Sequence, residues 1–530
     1  MRESSLLGKE LALRRVGVFG WGIVAPRSPD VESFAANLST AESWLTPFEG
    51  YGPNNFLVGV PEFSFADYRP WIAERFPPNR FHQLEDKMDL PVLYAIGSFI
   101  QALGQNPGLE AELSALELAT HVYMGTGIGN VDMIAKQTRA LDRAQRRWDR
   151  YWAERNPELA AYRPSGGSPE GVPPEPVAED PEERYDAEAV WWHYWAERSP
   201  DLGRYLAELA EIESLNLHGD IEKGKVHVLK EKQRRLRHLH ERWGAPLPPW
   251  QAVSAGLVWN IWNTPASQIS MLGRIHGLAF APVAACSTFG VCLKLGIDAI
   301  RRGEAKAVVV GATDPPPHPL SVGAFYAARV ISADAAVSKP LAGLRGTHVA
   351  GGSVVWILGD LEHMTAKGFR PLGMEPVAVG VSSDADHIIT PSIEGPTFAI
   401  QQALELSGTR PEELSSWDLH ATATPGDYRE IETLRGVVSD SVVVTARKGT
   451  FGHGMSAGGG WELTAQYLGF ERGQLFPTPL TPDELNQEIA RLHGRYVFDG
   501  GCSVTPGPVG KLSMGIGGIN ACVISRPWPR

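Results

Sequence analysis

The sequence predicts an α/β fold of two similar halves, interrupted by a mostly helical insertion. Three observations carry that reading. Short β-branched or aromatic runs ending in glycine recur along the chain, helix-length segments separate them, and the rhythm fails between about 136 and 249. With 530 residues, 43% of them apolar, the chain can bury more than one core.

The runs form two series. Residues 16–24, 121–125, 305–311 and 353–358 make the first, and 376–381, 417–421, 441–445 and 521–525 the second. Helical segments at 90–103 and 289–302 belong to the first series, and 397–407 and 427–437 to the second. Apolar strands alternating with helices predict largely parallel sheets covered on both faces. The first series ends near Leu361 and the second starts near Pro371. We therefore expect an N-terminal half at 1–135 and 250–366 and a C-terminal half at 367–530.

Within the expected insertion, 136–249, Trp, Tyr, Arg and Glu dominate. Residues 147–159 resemble 190–202 at an offset of 43, so that Trp148, Trp152 and Pro157 match Trp191, Trp195 and Pro200. Two copies are too few for a solenoid, and a helical hairpin or small bundle is expected. Aromatic residues at helical spacing fit the core of such a bundle better than a stacking surface for bases or sugars. A Pro/Gly/Ser/Glu-rich stretch at 163–183 should be a loop. The segment 225–242 carries seven Lys or Arg and should form a basic amphipathic helix, able to dock an acidic partner.

Composition excludes several classes of function. Acidic residues outnumber basic ones 61 to 49, which argues against nucleic acid as a partner. Four cysteines (Cys286, Cys292, Cys502, Cys522) without CxxC or paired Cys/His spacing predict neither a disulfide framework nor a metal. The first ten residues lack the apolar core of a signal peptide, and no run of about 18 apolar residues occurs. Those readings together predict a cytoplasmic chain with reduced thiols and no transmembrane segment. Gly20 and Gly22 mimic a dinucleotide fingerprint, but Pro26 follows where a helix would have to open.

Chemistry concentrates at three side chains. Cys286 lies where an apolar strand starting at Ala281 breaks into small residues, directly before a helical segment. There the positive end of the helix dipole should shift its thiol toward the nucleophilic thiolate. His420 and His453 each follow an apolar strand and precede a Thr-rich or Gly-rich bend. Loops at the carboxyl ends of strands are where α/β sheets place reactive groups.

At these residues the sequence resembles the β-ketoacyl-acyl-carrier-protein synthases, the condensing branch of the thiolase superfamily. The resemblance rests on ordered motifs: strand 16–24 followed by Pro26, the glycines of 125–129, Cys286 in 285–288, the segment 382–387, 420–427, Lys448 with His453, and 515–520. It implies the thiolase fold, two α/β halves in a layered αβαβα arrangement. It implies an acyltransferase in which Cys286 takes an acyl group from the phosphopantetheine of an acyl carrier protein. His420 and His453 would then assist decarboxylation of malonyl-carrier protein, and the carbanion would attack the acyl-cysteine. Backbone N–H groups of Cys286 and Ile516 would form the oxyanion hole, and Gly515, Ile516, Gly517 and Gly518 a gating loop. Lys448, Glu430 and Asp427 would support the histidines. No bound cofactor is implied, and a homodimer is expected, with a heterodimer as the alternative.

Several positions depart from the family pattern. Gly352 replaces a glutamate, Leu344-Arg345-Gly346 an Asp-Arg-Asp run, and Ile516 a gating phenylalanine. Ser456 stands where glycine is usual, and the loop after His420 is one residue shorter. Two alternatives to fatty acid or polyketide chain elongation follow: acyl transfer without elongation, and a chain-length or scaffold partner in a heterodimeric synthase.

Overall fold

The computed structural model describes residues 14–165, 170–177, 179–215, 221–388 and 392–529. The start of the chain, on which the signal-peptide reading rests, and parts of the 163–183 stretch lie outside the described residues. The chain divides into two compact units, Met1–Asp132 with Val258–Arg530, and Met133–Leu257. The second is wider at both ends than the 136–249 expected.

The first unit holds ten principal strands and six principal helices. In chain order they are β1 (Val16–Val24), α1 (Leu90–Leu103), β2 (Thr120–Gly125), α2 (Thr264–Gly273), β3 (Ala279–Phe280), α3 (Thr288–Arg301), β4 (Ala307–Asp314) and β5 (Gly352–Asp360). The second series is β6 (Met374–Ser383), α4 (Glu394–Ser407), β7 (Ser416–Asp418), α5 (Gly426–Val437), β8 (Val443–Thr445), α6 (Met455–Glu471), β9 (Val509–Gly515) and β10 (Ile519–Pro527).

The two sheets repeat one topology. The first runs β3-β2-β4-β5-β1 and the second β8-β7-β9-β10-β6, so each half places its third, second, fourth, fifth and first strands side by side. In both, the fifth strand is antiparallel to its two neighbours and the remaining pairs are parallel. The sheets are therefore mixed, with two of four strand pairs antiparallel in each, where largely parallel ones were expected. In the second half the cause is local: β9 and β10 are joined by a three-residue turn, and a connection that short can only reverse the chain.

Layering follows from side-chain alternation along these strands. Val354, Trp356 and Leu358 of β5 join one core with Phe289 of α3 and Trp461 of α6, while Val355 and Ile357 face another with Phe99 of α1 and Ile269 of α2. In β10, Ala521 and Val523 face the shared central core, and Cys522 and Ile524 pack with Ala399, Ala403 and Ile431 of α4 and α5. The order is helices, sheet, α3 with α6, sheet, helices. The central helices are pressed closely. A Cβ at Gly460 would lie 2.4 Å from Val354 and 2.8 Å from Phe289, and Gly458, Gly459 and Gly460 lie within α6 and not in the bend expected. Each glycine there costs about 1 kcal/mol of helix propensity, offset by that approach. Trp356 Nε1 donates to Thr464 Oγ1 at 2.9 Å, tying sheet to helix.

The second unit is helical. Val131–Ala153 leads into it, followed by Pro157–Ser165, Pro181–Glu197, Pro200–Glu213 and Ile221–Trp243. The repeated motif is a helix ending, a tight turn and a proline at the start of the next helix, which suits Pro because N1 needs no N–H donor. Its Trp148, Trp152, Trp191 and Trp195 share one core with Tyr205 and Leu239. Asn156 Nδ2 in the first copy's turn donates to the Trp195 carbonyl of the second at 2.9 Å. The expected loop at 163–183 ends in helix, since Asp180 caps Pro181–Glu197. Four of the seven Lys or Arg of the basic helix pair with acidic side chains: Arg234 and Arg235 with Glu231, Lys232 with Glu213, and Arg242 with Glu208.

Candidate active site

Cys286 lies on the 3-10 turn Ala285–Ser287, directly before α3. The turn is tight: Ala285 has a φ of +47°, a left-handed value that costs a non-glycine residue about 1 kcal/mol or more. Side chains pin it. Thr288 Oγ1 accepts from the Ala284 N–H at 3.0 Å and donates to the Ala285 carbonyl at 2.7 Å, and Ser287 Oγ donates to the Ile519 carbonyl at 2.7 Å. The sulfur is thereby held in one place at the helix start.

Its ionisation differs from the sequence expectation. Burial pushes the Cys286 thiol up to about 11, against the N–H groups of Ile516 and Cys286 and the nearby Lys448, which favour the thiolate. A helix N-terminus contributes roughly 0.3–1 kcal/mol, less than one pKa unit. Desolvation therefore outweighs the dipole, and the resting sulfur is a thiol.

His420 lies two residues past β7. Its N–H and that of Ala421 donate to the two carboxylate oxygens of Glu430 on α5, at 2.6 and 2.7 Å, so Glu430 shapes the loop through the backbone. Lys448 Nζ lies 3.4 Å from His420 Nδ1 and also donates to the His420 carbonyl. An ammonium only donates, so Nδ1 must accept and the neutral ring carries its proton on Nε2. His453 is placed by its backbone, whose N–H donates to the His348 carbonyl at 2.6 Å and whose carbonyl accepts from Ala350 at 2.9 Å. The two imidazoles stand 5.3 Å apart and nearly perpendicular. Burial, then Lys448, lowers both well below the usual imidazole value. Both rings are neutral at neutral pH.

Beneath them lies a buried charge cluster of which sequence reading named only Lys448. Lys448 Nζ meets Glu462 Oε1 at 2.7 Å, and Lys511 Nζ lies 2.8 Å from Oε2, all three nearly inaccessible. Each could have been noticed as a lone charge in an apolar stretch, Glu462 after Trp461 and Lys511 within β9. Asp427 touches neither histidine. It accepts from the N–H groups of Thr422, Ala423 and Leu341 and shapes the loop after His420. Burial raises Asp427 to about 6 and Glu430 to about 7. Asp314, also missed, accepts from Gly127 at 3.0 Å, Ile128 at 2.7 Å and Ser456 N–H at 2.8 Å, joining the glycines of 125–129 to the start of α6. Ser456 adds a hydroxyl bond to the same carboxylate, which accounts for serine there.

The remaining positions are backbone matters. Ile516, Gly517 and Gly518 form the β9–β10 turn; Gly517 N–H donates to the Ile388 carbonyl at 2.7 Å and Asp384 N–H to the Gly518 carbonyl at 2.8 Å. Asn520 Nδ2 donates to Asp384 Oδ1 at 2.6 Å, so the 382–387 motif latches this turn. Gly352 has a φ of +138° and a Cβ there would meet the Val24 carbonyl oxygen at 2.2 Å. That position therefore holds no side chain.

Cys286, His420 and His453 line one cavity of about 400 Å³, with Thr422, Thr424, Met514, Gly515 and Ile516. It can hold a thioester with its carbonyl at the sulfur, its oxygen facing two N–H groups, and a second carbonyl near two neutral imidazoles. Among the described residues, no group of three or more His, Cys, Asp or Glu is arranged to hold a metal ion, and no helix is long and apolar enough to cross a membrane.

Two solved structures share the architecture. The ishigamide ketosynthase/chain length factor aligns over 98% of this chain and 100% of its own, with a TM-score of 0.69 and 20% identity. A type II polyketide ketosynthase in complex with its acyl carrier protein aligns over 97% and 100%, with a TM-score of 0.64 and 17% identity. The molecule is a thiolase-fold protein. Residues 244–363 match the model for the β-ketoacyl synthase N-terminal domain and 375–480 that for its C-terminal domain. Among curated relatives, nodulation protein E of Rhizobium meliloti is 29% identical over 41% of this chain and 54% of its own length. The chloroplastic 3-oxoacyl-[acyl-carrier-protein] synthase I of Arabidopsis thaliana is 28% identical over 50% of this chain and 60% of its own. The chain thus spans little more than half the length of the curated relatives it matches.

Proposed function

We propose that this chain is a β-ketoacyl synthase that performs decarboxylative Claisen condensation on carrier-bound acyl groups, in fatty acid or polyketide-type synthesis. The observation that carries the reading is one cavity lined by a cysteine held at a helix start and two neutral imidazoles, with the N–H groups of Ile516 and Cys286 at the sulfur.

In the first half-reaction Cys286 gives up its proton to a neutral imidazole as its sulfur attacks the acyl thioester. The acyl–sulfur bond to phosphopantetheine breaks, and the departing thiolate takes a proton back. In the second, malonyl-carrier protein loses CO2, and the enolate oxygen is stabilised by imidazole N–H donors of His420 and His453. The enolate carbon attacks the acyl-Cys286 carbonyl, and the oxyanion sits on the N–H groups of Cys286 and Ile516, each worth about 3 kcal/mol in comparable sites. Collapse expels the cysteine sulfur, which is reprotonated, and leaves a 3-ketoacyl chain on the carrier. Lys448 and Glu462 orient His420, and Glu430 and Asp427 hold its loop. The solved complex of a related ketosynthase with its acyl carrier protein supports that partner.

The test is reconstitution with acyl- and malonyl-carrier proteins across several chain lengths, with product read by mass. A 3-ketoacyl product with equimolar CO2 is expected. Acyl-Cys286 without CO2 would indicate transfer without elongation, and no acylation at all a scaffold partner.

A homodimer acting in the cytoplasm completes the proposal. Among the described residues the edge strand β3 is paired only to β2, and Met271, Leu278 and Val283 around it are 56%, 55% and 49% exposed. An open edge flanked by apolar side chains favours pairing with a second copy. Light scattering should give twice the chain mass, and Val283→Lys should lower it; a monomeric wild type refutes this part.

A further inference from the structure

Strand β9 carries a lysine that lies outside every motif on which the family resemblance rests. Lys511 is fully buried, and a buried ammonium persists only where its protons meet oxygens. Its Nζ lies 2.8 Å from Glu462 Oε2 on α6, donates to the Leu419 carbonyl at 3.2 Å, and donates to the Leu512 carbonyl of its own strand. Three oxygens thus receive its three protons.

Two of those oxygens belong to the surroundings of His420. The consecutive carbonyls of Leu419 and His420 accept from Lys511 and from Lys448. The consecutive N–H groups of His420 and Ala421 donate to Glu430 at 2.6 and 2.7 Å. All four backbone groups, from the Leu419 carbonyl to the Ala421 N–H, are therefore held by charged side chains. Glu462 joins the two ammoniums, with Oε1 on Lys448 at 2.7 Å and Oε2 on Lys511. A carboxylate fixed at both oxygens determines where Lys448 meets His420 Nδ1.

Lys511 also sets the charge beneath the rings. In the register of β9 against β7 it is the partner of Asp418, whose carboxylate accepts from Arg447 Nε at 2.7 Å. Arg447, Lys448 and Lys511 are three buried cations against the two buried carboxylates Asp418 and Glu462. Asp427 and Glu430 of α5 face the same loop, with their oxygens taken by backbone N–H groups, and burial raises them to about 6 and about 7. Without Lys511 the five-membered set would balance. With it one positive charge is left over in surroundings of low dielectric, where it opposes protonation of an imidazole. Burial lowers His420 and His453 most, Lys448 next, and Lys511 adds to both.

We propose that Lys511 is a positioning residue of the condensation: its ammonium fixes both the strand end that carries His420 and the carboxylate that holds Lys448, and its charge keeps the two imidazoles neutral. The inference rests on the condensing-enzyme reading and adds to it a residue that touches neither substrate nor histidine ring, yet governs the state of both rings.

Ring state and chemistry are tested separately. NMR of the full chain with ring-labelled histidine follows the imidazoles against pH without any reaction, His420 and His453 being assigned through His420→Gln and His453→Gln. Lys511→Met keeps the length of the side chain and removes its charge and its donors. In that variant the titration of at least one of the two rings should move up by about one pH unit. In condensation with acyl- and malonyl-carrier protein, kcat should fall about tenfold with KM unchanged, and the acid limb of kcat against pH should move up by the same amount. Lys511→Gln restores a donor for the Leu419 carbonyl without the charge, so it should recover part of kcat and leave the acid limb displaced. Ring titrations and an acid limb that superimpose on those of the parent, even with a lowered kcat, overturn the proposal, because a lysine that only supports the fold would move neither. If unfolding midpoints show that Lys511→Met does not fold, Lys511→Gln decides by the same two profiles. If the parent itself yields no 3-ketoacyl product, the condensing reading fails, while the ring titrations still decide whether Lys511 governs the imidazoles.

Discussion

At the residue scale the site depends on two displaced ionisations of opposite kind. The Cys286 thiol is raised to about 11 by burial, so its alkylation by iodoacetamide should accelerate about tenfold per pH unit between 7 and 10. A rate that levels off below pH 8 would show that the thiolate is the resting form. The histidines move the other way. Unfolded, each binds a proton below pH 6.5; folded, neither does. Acidification from pH 7 to 5 then favours the unfolded chain by about 2 kcal/mol per histidine. Glu430 and Asp427, raised in the fold, oppose part of that loss, because their stabilisation is present below the unfolded carboxylate values and fades as pH rises through about 7 and about 6. His420→Gln with His453→Gln should flatten the acid limb of urea midpoints against pH; an unchanged slope would contradict the neutral-imidazole assignment. Cys286, His420 and His453 were legible in the sequence because each breaks an apolar run at a strand or helix end. Glu462, Lys511 and Asp314 were passed over, since a single charge inside an apolar segment is a faint signal until the fold joins segments far apart in sequence.

At the scale of elements, the β9–β10 turn concentrates the requirements. Gly517 and Gly518 both have positive φ, +93° and +73°, but only at Gly518 would a Cβ collide, 2.9 Å from the Asp384 side chain. Gly518→Ala should therefore cost more than Gly517→Ala, about 2–3 against about 1 kcal/mol in denaturant unfolding. Equal costs would mean that Asp384 yields freely and does not latch the turn. Sequence reading found the motif 515–520 yet overlooked β9 itself. Its Gly510, beneath the Trp417 ring, and its buried Lys511 disguise a strand that pairs with both neighbours. The expected strand before Cys286 was likewise displaced, because β3 ends at Phe280 and the chain then runs irregularly into the turn.

At the scale of the whole molecule, one topology occurs twice, and both halves were legible because doubly covered strands read as uninterrupted apolar runs. The antiparallel fifth strands were not, since strand direction is set by connections and not by composition. The unit Met133–Leu257 has its own aromatic core, and its ends leave and return together, with Asn130 Nδ2 donating to the Asn260 carbonyl at 2.5 Å. Replacing 133–257 by a short Gly/Ser linker should leave the first unit folded, with Cys286 still alkylated and circular dichroism retaining its sheet signal; loss of both would show that the unit is part of the main core. The claim on which the rest depends is that sulfur and imidazoles act in one cavity. It is tested by loading Cys286 with an acyl group, adding malonyl-carrier protein labelled in its free carboxyl, and following labelled CO2 against the acyl-enzyme mass. The account predicts that CO2 appears as the acyl-enzyme disappears, mole for mole, and that His420→Ala and His453→Ala leave acyl-Cys286 unconsumed. Full consumption with CO2 release in both histidine variants would contradict it.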